Sequence, residues 1–255
     1  MLREAAEYPN SFIRLGPGVE RVETPRFALC MERIASSNTV QRQRFAADQL
    51  DEVLSEVRSL LRARGRTRTQ WEIGSAAEPL GLVELLLERG LVRDTEPFGV
   101  ALVLDEEPPP APPGAEARQV RTFEEFAAAA EVQWEAFGVP AAEISERRAE
   151  LAEQWESSPM ITHAVWIDGR VVGAGRCGAT PYGLALFGGA TLPDARGRGA
   201  YRALIRARWE YALASGAPAL LTQAGAMSRP ILERLGFRQI GHIHMLVDDF
   251  GQAST

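Results

Sequence analysis

The stretch from Leu184 to Gly216 constrains this chain more than any other. An apolar run, Leu184 to Leu192, enters Pro193-Asp194 and then Arg196-Gly-Arg-Gly199. A helical pattern comes next, with Tyr201, Leu204, Ile205, Trp209 and Ala212 on one apolar side. The pattern predicts a strand, a tight loop and a helix that starts near Ala200. Gly197 and Gly199 let backbone N–H groups point into the loop without a Cβ in the way. A helix start leaves its first N–H groups unpaired, with the positive end of the helix dipole facing the same space. Arg196, Arg198 and Arg202 add charge there. These residues alone fit two descriptions, a site for an anion of pyrophosphate size and a surface turn with solvated arginines.

Composition narrows the choice. The chain has 255 residues and is 45% hydrophobic, enough for one large domain or two small ones without staples. All 28 basic residues are arginine, the net charge is −6, and acids outnumber arginines both before and after residue 115. Neither part has the basic excess of a nucleic-acid binder, so the local arginine cluster is better suited to a small anionic ligand. Cys30 and Cys177 are too few and too isolated for a disulfide framework or a thiolate metal site, and both are expected as buried free thiols. His242 and His244 would share one face of a strand, but no third ligand accompanies them and no metal is expected. With no leader and no long apolar run, the expectation is a soluble cytoplasmic protein without a membrane partner.

Along the chain, the first 25 residues are weakly patterned. Strands are predicted at Phe27–Ile34, Thr39–Phe45, Gln70–Ile73 and Phe98–Leu104. Helices are predicted where Leu50, Val53, Leu54, Val57, Leu60 and Leu61 keep helical spacing up to Gly65, and from Leu80 to Glu88. Residues 105 to 114, with five prolines, can join neither sheet nor helix and would act as a stiff spacer. The expected division is therefore 1–105, a linker at 106–115, and 116–255. The second part begins with a short strand at Gln119-Val120, then helices Phe123–Phe137 and Glu143–Trp155. A hairpin runs from Thr162 to Val172 and turns on Asp168-Gly169, the preferred pair for a two-residue turn with positive φ. After the organising segment come a strand at Ala219–Gln223, a helix from Ser228 closed by Gly236, and a strand at Ile240–Val247.

The loop resembles the acetyl-CoA loop of GNAT-type N-acetyltransferases, whose pattern is Arg/Gln-x-x-Gly-x-Gly/Ala. Arg196 and Gly199 match it, and Tyr201 stands where the pattern has a small residue. The element order across residues 118 to 248 and the Leu235-Gly236-Phe237 ending of the last helix are similar to that family too. The resemblance implies an α/β (α+β) fold, a mixed, mostly antiparallel sheet flanked by helices. It implies acetyl-CoA as cosubstrate, held by Ala190, Thr191, Leu192, Arg196, Gly197, Arg198, Gly199, Ala200, Tyr201 and Arg202. The two parts also echo one another: Trp71-Glu-Ile-Gly74, with its next helix and strand, is similar to Thr222-Gln-Ala-Gly225 with the helix and strand after it. The first part has Arg44-Phe-Ala-Ala-Asp48 in place of the glycine loop, so it is expected to be a truncated, degenerate GNAT-like repeat that binds no cofactor.

One literal Gly-x-Gly-x-x-Gly, Gly173 to Gly178, comes after an apolar strand as a dinucleotide fingerprint should. A helix must come next, and Ala179-Thr-Pro181-Tyr-Gly183 breaks helices instead. Acetyl transfer to an amine needs a base, an oxyanion donor and an acid for the leaving thiolate. The resemblance puts the oxyanion donor on a backbone N–H near Ala190 to Leu192. It puts the acid at the position of Leu232, which cannot serve. Glu135, Tyr182, Tyr201 and Gln223 are the catalytic candidates, each equally open to a structural role. The expected function is acetyl-CoA-dependent acetylation of a small-molecule or peptide amine, by a monomer with an internal pseudo-dimer or by a homodimer. The alternative is a catalytically silent acyl-CoA-binding sensor or interaction module.

Overall fold

The computed structural model describes residues 1–251, with the side chains of residues 95–98 left aside. From the N-terminus run α1 (Leu2–Glu7), β1 (Glu20–Glu23), β2 (Ala28–Met31), β3 (Asn38–Gln41), α2 (Leu50–Arg62), β4 (Arg68–Gly74), α3 (Leu82–Glu88) and β5 (Val92–Leu104). Then come β6 (Glu116–Gln119), α4 (Phe123–Ala136), α5 (Ala141–Ala149), α6 (Leu151–Ser157), β7 (Ile161–Ile167), β8 (Arg170–Thr180) and β9 (Gly183–Thr191). The chain closes with α7 (Ala200–Ala214), β10 (Leu220–Ala224), α8 (Arg229–Arg234) and β11 (Arg238–Asp249). Two compact units result. Unit 1 holds Met1–Leu102, Gln223–Pro230 and the described residues from Gln239 on; unit 2 holds Val103–Thr222 and Ile231–Arg238.

In unit 1 the strands lie in the order β1-β2-β3-β4-β11. Neighbours are antiparallel except β3 and β4, which pair in parallel only at Thr39–Gln70 and Val40–Trp71. The helical spacing seen in the sequence is realised by α2, which buries Leu50, Val53, Leu54, Val57 and Leu61 against Met31, Trp71 and Leu246. Each such side chain contributes about 1.5–3 kcal/mol by leaving water. Arg58 of α2 holds Asp248 of β11 through two bonds of 2.9 and 2.8 Å. The strand expected over Thr39–Phe45 stops at Gln41, because Arg42 has φ +56 and turns the chain out of the ladder. The weakly patterned N-terminus forms α1 and β1, and α1 buries Ala5, Ala6 and Glu7.

In unit 2 the order is β10-β9-β8-β7-β6. Here too one pair is parallel and short: β10 meets β9 only at Leu220–Leu184 and Leu221–Ala185. The two parallel pairs thus align Trp71 with Leu221, one residue away from the Trp71–Thr222 match expected from the sequence echo. The hairpin turns as Asp-Gly predicts, with φ +52 at Asp168 and +75 at Gly169. The helix expected from Glu143 to Trp155 is broken at Glu150 into α5, which buries no side chain, and α6, which buries Leu151; no apolar stripe runs through both. The proline segment is not a free spacer. Pro108 is buried, Arg206 binds Glu107 (2.5 Å) and the Pro108 carbonyl (3.2 Å), and the ring of Pro112 fills the place a Cβ on Gly199 would need. It runs back along α7 from Arg206 to the helix start.

Candidate functional site

The site is the end of β9, the loop after it and the first turn of α7. Opposite β8, residue 174 pairs with 190 and 176 with 187, so β9 carries one extra residue, a bulge at Gly188-Gly189. Gly188 has φ +57, a conformation that favours glycine. The two glycines face opposite ways, as strand alternation requires. A Cβ on Gly188 would meet Gln133 of α4, whose Nε2 donates to the Gly188 carbonyl (2.6 Å), whereas a Cβ on Gly189 would meet the ring of Tyr201 on α7.

Beyond Ala185, β9 has no ladder pairing with β10 among the described residues. Leu192 N–H donates to the Val172 carbonyl on the β8 side (2.9 Å), so it is not free for a ligand. By the two-residue period, the amide directed to the other edge is that of Thr191. Its hydroxyl is buried with no partner among the described residues.

The loop closes on Gly197 (φ +77) and Gly199 (φ +80), the latter the N-cap of α7. The first intrahelical bond is Ala203 N–H to Gly199 O (3.0 Å), which leaves the amides of Ala200, Tyr201 and Arg202 without intrahelical acceptors. Arg198 N–H bonds the Ala195 carbonyl (3.4 Å) and is drawn inward. Two salt bridges tie the loop to the hairpin tip, Arg198 to Asp168 (2.8 Å) and Arg170 to Asp194 (2.6 Å). The Arg170 guanidinium holds the Asp194 carboxyl below its ordinary range. Exposed Arg196 has no ion-pair partner among the described residues, and Arg202 has a buried, unpartnered Nε. Orphan N–H groups, two unpaired arginines and an orphan hydroxyl at one place fit an anionic ligand with polar arms.

The four catalytic candidates fall in different places. Tyr201 lies over the β9 bulge. Glu135 is exposed and lines a cavity of about 420 Å³ with Trp134, Val139, Ile144 and the Glu131–Arg148 ion pair. Two residues along a helix are about 200° apart, so Glu135 points away from the bulge that Gln133 touches. Tyr182 sits in the turn that begins β9, at the end opposite the loop, where its N–H bonds Thr180 Oγ1 (3.1 Å). Gln223 belongs to unit 1, where its Nε2 donates to the Glu7 carbonyl (2.7 Å) and to Glu72 Oε2 (2.9 Å). Leu232 is buried at 1% exposure. Sequence reasoning passed over Gly175, which belongs to the decoy glycine pattern and makes room on β8 for Arg208. An arginine amid the helix's apolar positions was the available signal.

Residues 126–237 match the model of the Acetyltransferase (GNAT) family. Solved structures agree on the fold. A GCN5-related N-acetyltransferase from Kribbella flavida is 19% identical with a TM-score of 0.68, over 91% of this chain and 90% of that one. A tandem GNAT protein from the clavulanic acid biosynthesis pathway is 17% identical with a TM-score of 0.64, over 99% and 94%. A GCN5-related N-acetyltransferase from Sphaerobacter thermophilus is 17% identical with a TM-score of 0.61, over 89% and 81%. No curated protein matches in sequence. The chain thus has the GNAT fold, a mixed, mostly antiparallel sheet flanked by helices. Among the described residues no helix is long and apolar enough to cross a membrane, and no group of three or more His, Cys, Asp or Glu could hold a metal ion.

Proposed function

We propose that the chain transfers the acetyl group of acetyl-CoA to a primary amine of a small molecule or peptide in the cytoplasm. The observation that carries this reading is the set of unsatisfied donors at the start of α7, next to the unpaired, bulged edge of β9. Acetyl-CoA supplies the acyl group already activated as a thioester. The amides of Gly197 and Gly199 to Arg202 would take the pyrophosphate, with Arg196 and Arg202 adding charge and Arg198 bracing the loop through Asp168. Ala190, Thr191 and Leu192 would line the pantetheine, with Thr191 N–H the backbone donor facing it. Positioning and fixed backbone dipoles then supply most of the rate. Residues 1–105 serve as a truncated repeat without cofactor, within an internal pseudo-dimer or a homodimer.

The buried leucine at position 232 favours a second reading, a silent acyl-CoA-binding module. Gly197→Asp tests the shared premise. A Cβ there meets nothing within 4 Å, so the cost is the left-handed φ, about 1 kcal/mol. Affinity for CoA by calorimetry should fall more than about tenfold while the variant stays folded. Unchanged affinity puts the ligand elsewhere. Transfer assays over an amine panel then separate enzyme from silent binder.

A further inference from the structure

Helix α7 buries a whole arginine. Arg208 is 1% exposed, and its Nε and Nη2 have no hydrogen-bond partner among the described residues. Its guanidinium fits because residue 175 is glycine: a Cβ there would lie 2.7 Å from Cζ. The polar groups that feel its charge are His163 of β7, Cys177 of β8 and Tyr201 of α7, with no carboxylate among them, and the ring of Tyr211 packs edge-on against His163. Burial, aided by the Arg208 charge, pushes the His163 pKa down to about 3. Burial pushes the Cys177 thiol up to about 12 and raises the Tyr201 phenol, with Arg208 opposing both shifts. These neighbours are therefore neutral at neutral pH, and Arg208 stands as a buried cation with no ion-pair partner among the described residues. Such a charge is strongly destabilising until negative charge forms beside it.

Among these neighbours Tyr201 lies against the bulge of β9. Its Oη lies 3.1 Å and its Cε2 2.9 Å from where a Cβ on Gly189 would sit, and the hydroxyl makes no hydrogen bond among the described residues. Arg208 lies two helical turns after Tyr201 on the same face, and helical side chains lean toward the N-terminus, which aims the guanidinium at the tyrosine. A pantetheine entering from the loop along Thr191 and Ala190 arrives next at Gly189. We propose that Tyr201 is the proton donor to the departing CoA thiolate, and that Arg208 is a positioning residue that stabilises the phenolate left behind; this rests on the acetyl-CoA reading above.

As the C–S bond breaks, its electron pair stays on sulfur, the Tyr201 Oη–H bond breaks and an S–H bond forms. The proton released by the acylated amine goes to solvent, and the phenolate recovers one from solvent, so protons balance over the cycle. The same assignment accounts for a large residue at a position where the loop pattern has a small one, and for a leucine at position 232.

An ultraviolet titration of the thiol of CoA bound to the full chain tests this without any acceptor. A hydroxyl donor backed by Arg208 stabilises the thiolate, so the bound thiol should ionise at least about one pH unit below the thiol of free CoA. Tyr201→Phe should return it to the free value while CoA affinity changes less than about threefold. Arg208→Met should lose most of the shift and Arg208→Lys should keep it, with melting curves confirming that each variant is folded. Equal thiol titrations in the wild type and Tyr201→Phe, with CoA bound to both, would overturn the assignment and leave the acetyl-CoA reading standing. A wild-type chain that binds no CoA would overturn both.

Discussion

Helices α2 and α7 each come after a strand that has just parted from a parallel neighbour, yet the two helix starts are finished in opposite ways. At α2 the chain satisfies itself. Asp51 and Glu52 occupy the first turn, and a 3-10 turn, Ala47–Gln49, leads into the helix and is closed at its own start by Gln49 Oε1, which accepts the Ala46 N–H (2.9 Å). Where β3 leaves β4, Gln43 Nε2 donates to the carbonyls of Val40 and Glu72 (both 3.0 Å), and Gln41 Nε2 donates to Glu72 Oε2 (2.7 Å). At α7 the first turn holds no acid, the N-cap is glycine, and the parted strand carries Gly188-Gly189. One topology thus plugs its own gap with side-chain amides and the other keeps it open. On the acetyl-CoA reading proposed above, the capacity to bind an anion would lie in which backbone donors the chain declines to satisfy.

Removing residues 1–113 should break the comparison most severely. The fragment keeps the whole α7 loop but loses β4, so seven paired residues of β11 lose their partner strand and nearly buried Asp248 loses Arg58. Leaving one member of such an ion pair alone costs about 3–5 kcal/mol, before any loss of sheet. Circular dichroism melts should show a fragment that aggregates or melts without cooperativity. A soluble fragment that melts in one step and binds CoA would show that unit 2 needs nothing from the first repeat.

The units should also respond to pH with opposite signs. Burial raises the Glu72 pKa, so its folded form holds a proton that the unfolded chain releases above about 4.5; its contribution is present below that value and is lost as pH rises. His163, lowered from 6.5 to about 3, contributes above 6.5 and loses that contribution as pH falls toward 3. Glu72→Gln should therefore stabilise the chain at neutral pH, and His163→Gln should flatten its acid limb, each by about a few kcal/mol at most. Denaturant melts from pH 4 to 8 measure both. A Glu72→Gln variant no more stable at pH 8 than the parent would mean that the polar core of unit 1 tolerates an ionised carboxylate.

Position 232 gives a smaller effect. Leu232 is 1% exposed, so Leu232→Tyr, which would restore an acid where the family resemblance places one, must force a larger ring into filled space. A loss of about 1–3 kcal/mol is expected, with no gain in turnover if Tyr201 already donates the proton. A stable, faster variant would argue for the position of the resemblance.

These cases mark how far the sequence could be read. The α2 stripe, the Asp168-Gly169 turn and the arginine-glycine loop are local, and period or turn chemistry exposes them. What stayed hidden depends on partners far along the chain. Glu7, Tyr8 and Glu72 look like surface residues until Gly74 and Gly241 are seen to leave room for the Glu7 carboxylate. Arg208 is polar by type and is buried only because Gly175 lies beneath it. Proline content told correctly that residues 105–114 join no sheet, but not that Arg206 and Gly199 would hold them on α7. β11 has a clear strand pattern, and nothing local says that β4 is its neighbour.

The smallest effects test the contrast between the two helix starts directly. Gln49→Ala removes the acceptor of the Ala46 N–H and should lower stability by about 1 kcal/mol, the usual scale for a lost cap, with CoA affinity unchanged. Arg202→Glu does the reverse at α7. A carboxylate in the first turn favours the helix dipole by about 0.3–1 kcal/mol, and the substitution removes the orphan Nε. The melting temperature should hold or rise slightly while CoA affinity drops more than about tenfold, because the new charge competes for the amides a phosphate would use. Stability and binding thus move in opposite directions at α7, whereas at α2 only stability moves. If Arg202→Glu destabilises the fold and leaves CoA affinity intact, the orphan amides of α7 are satisfied by something other than an anionic ligand, and the distinction between the two helix starts collapses.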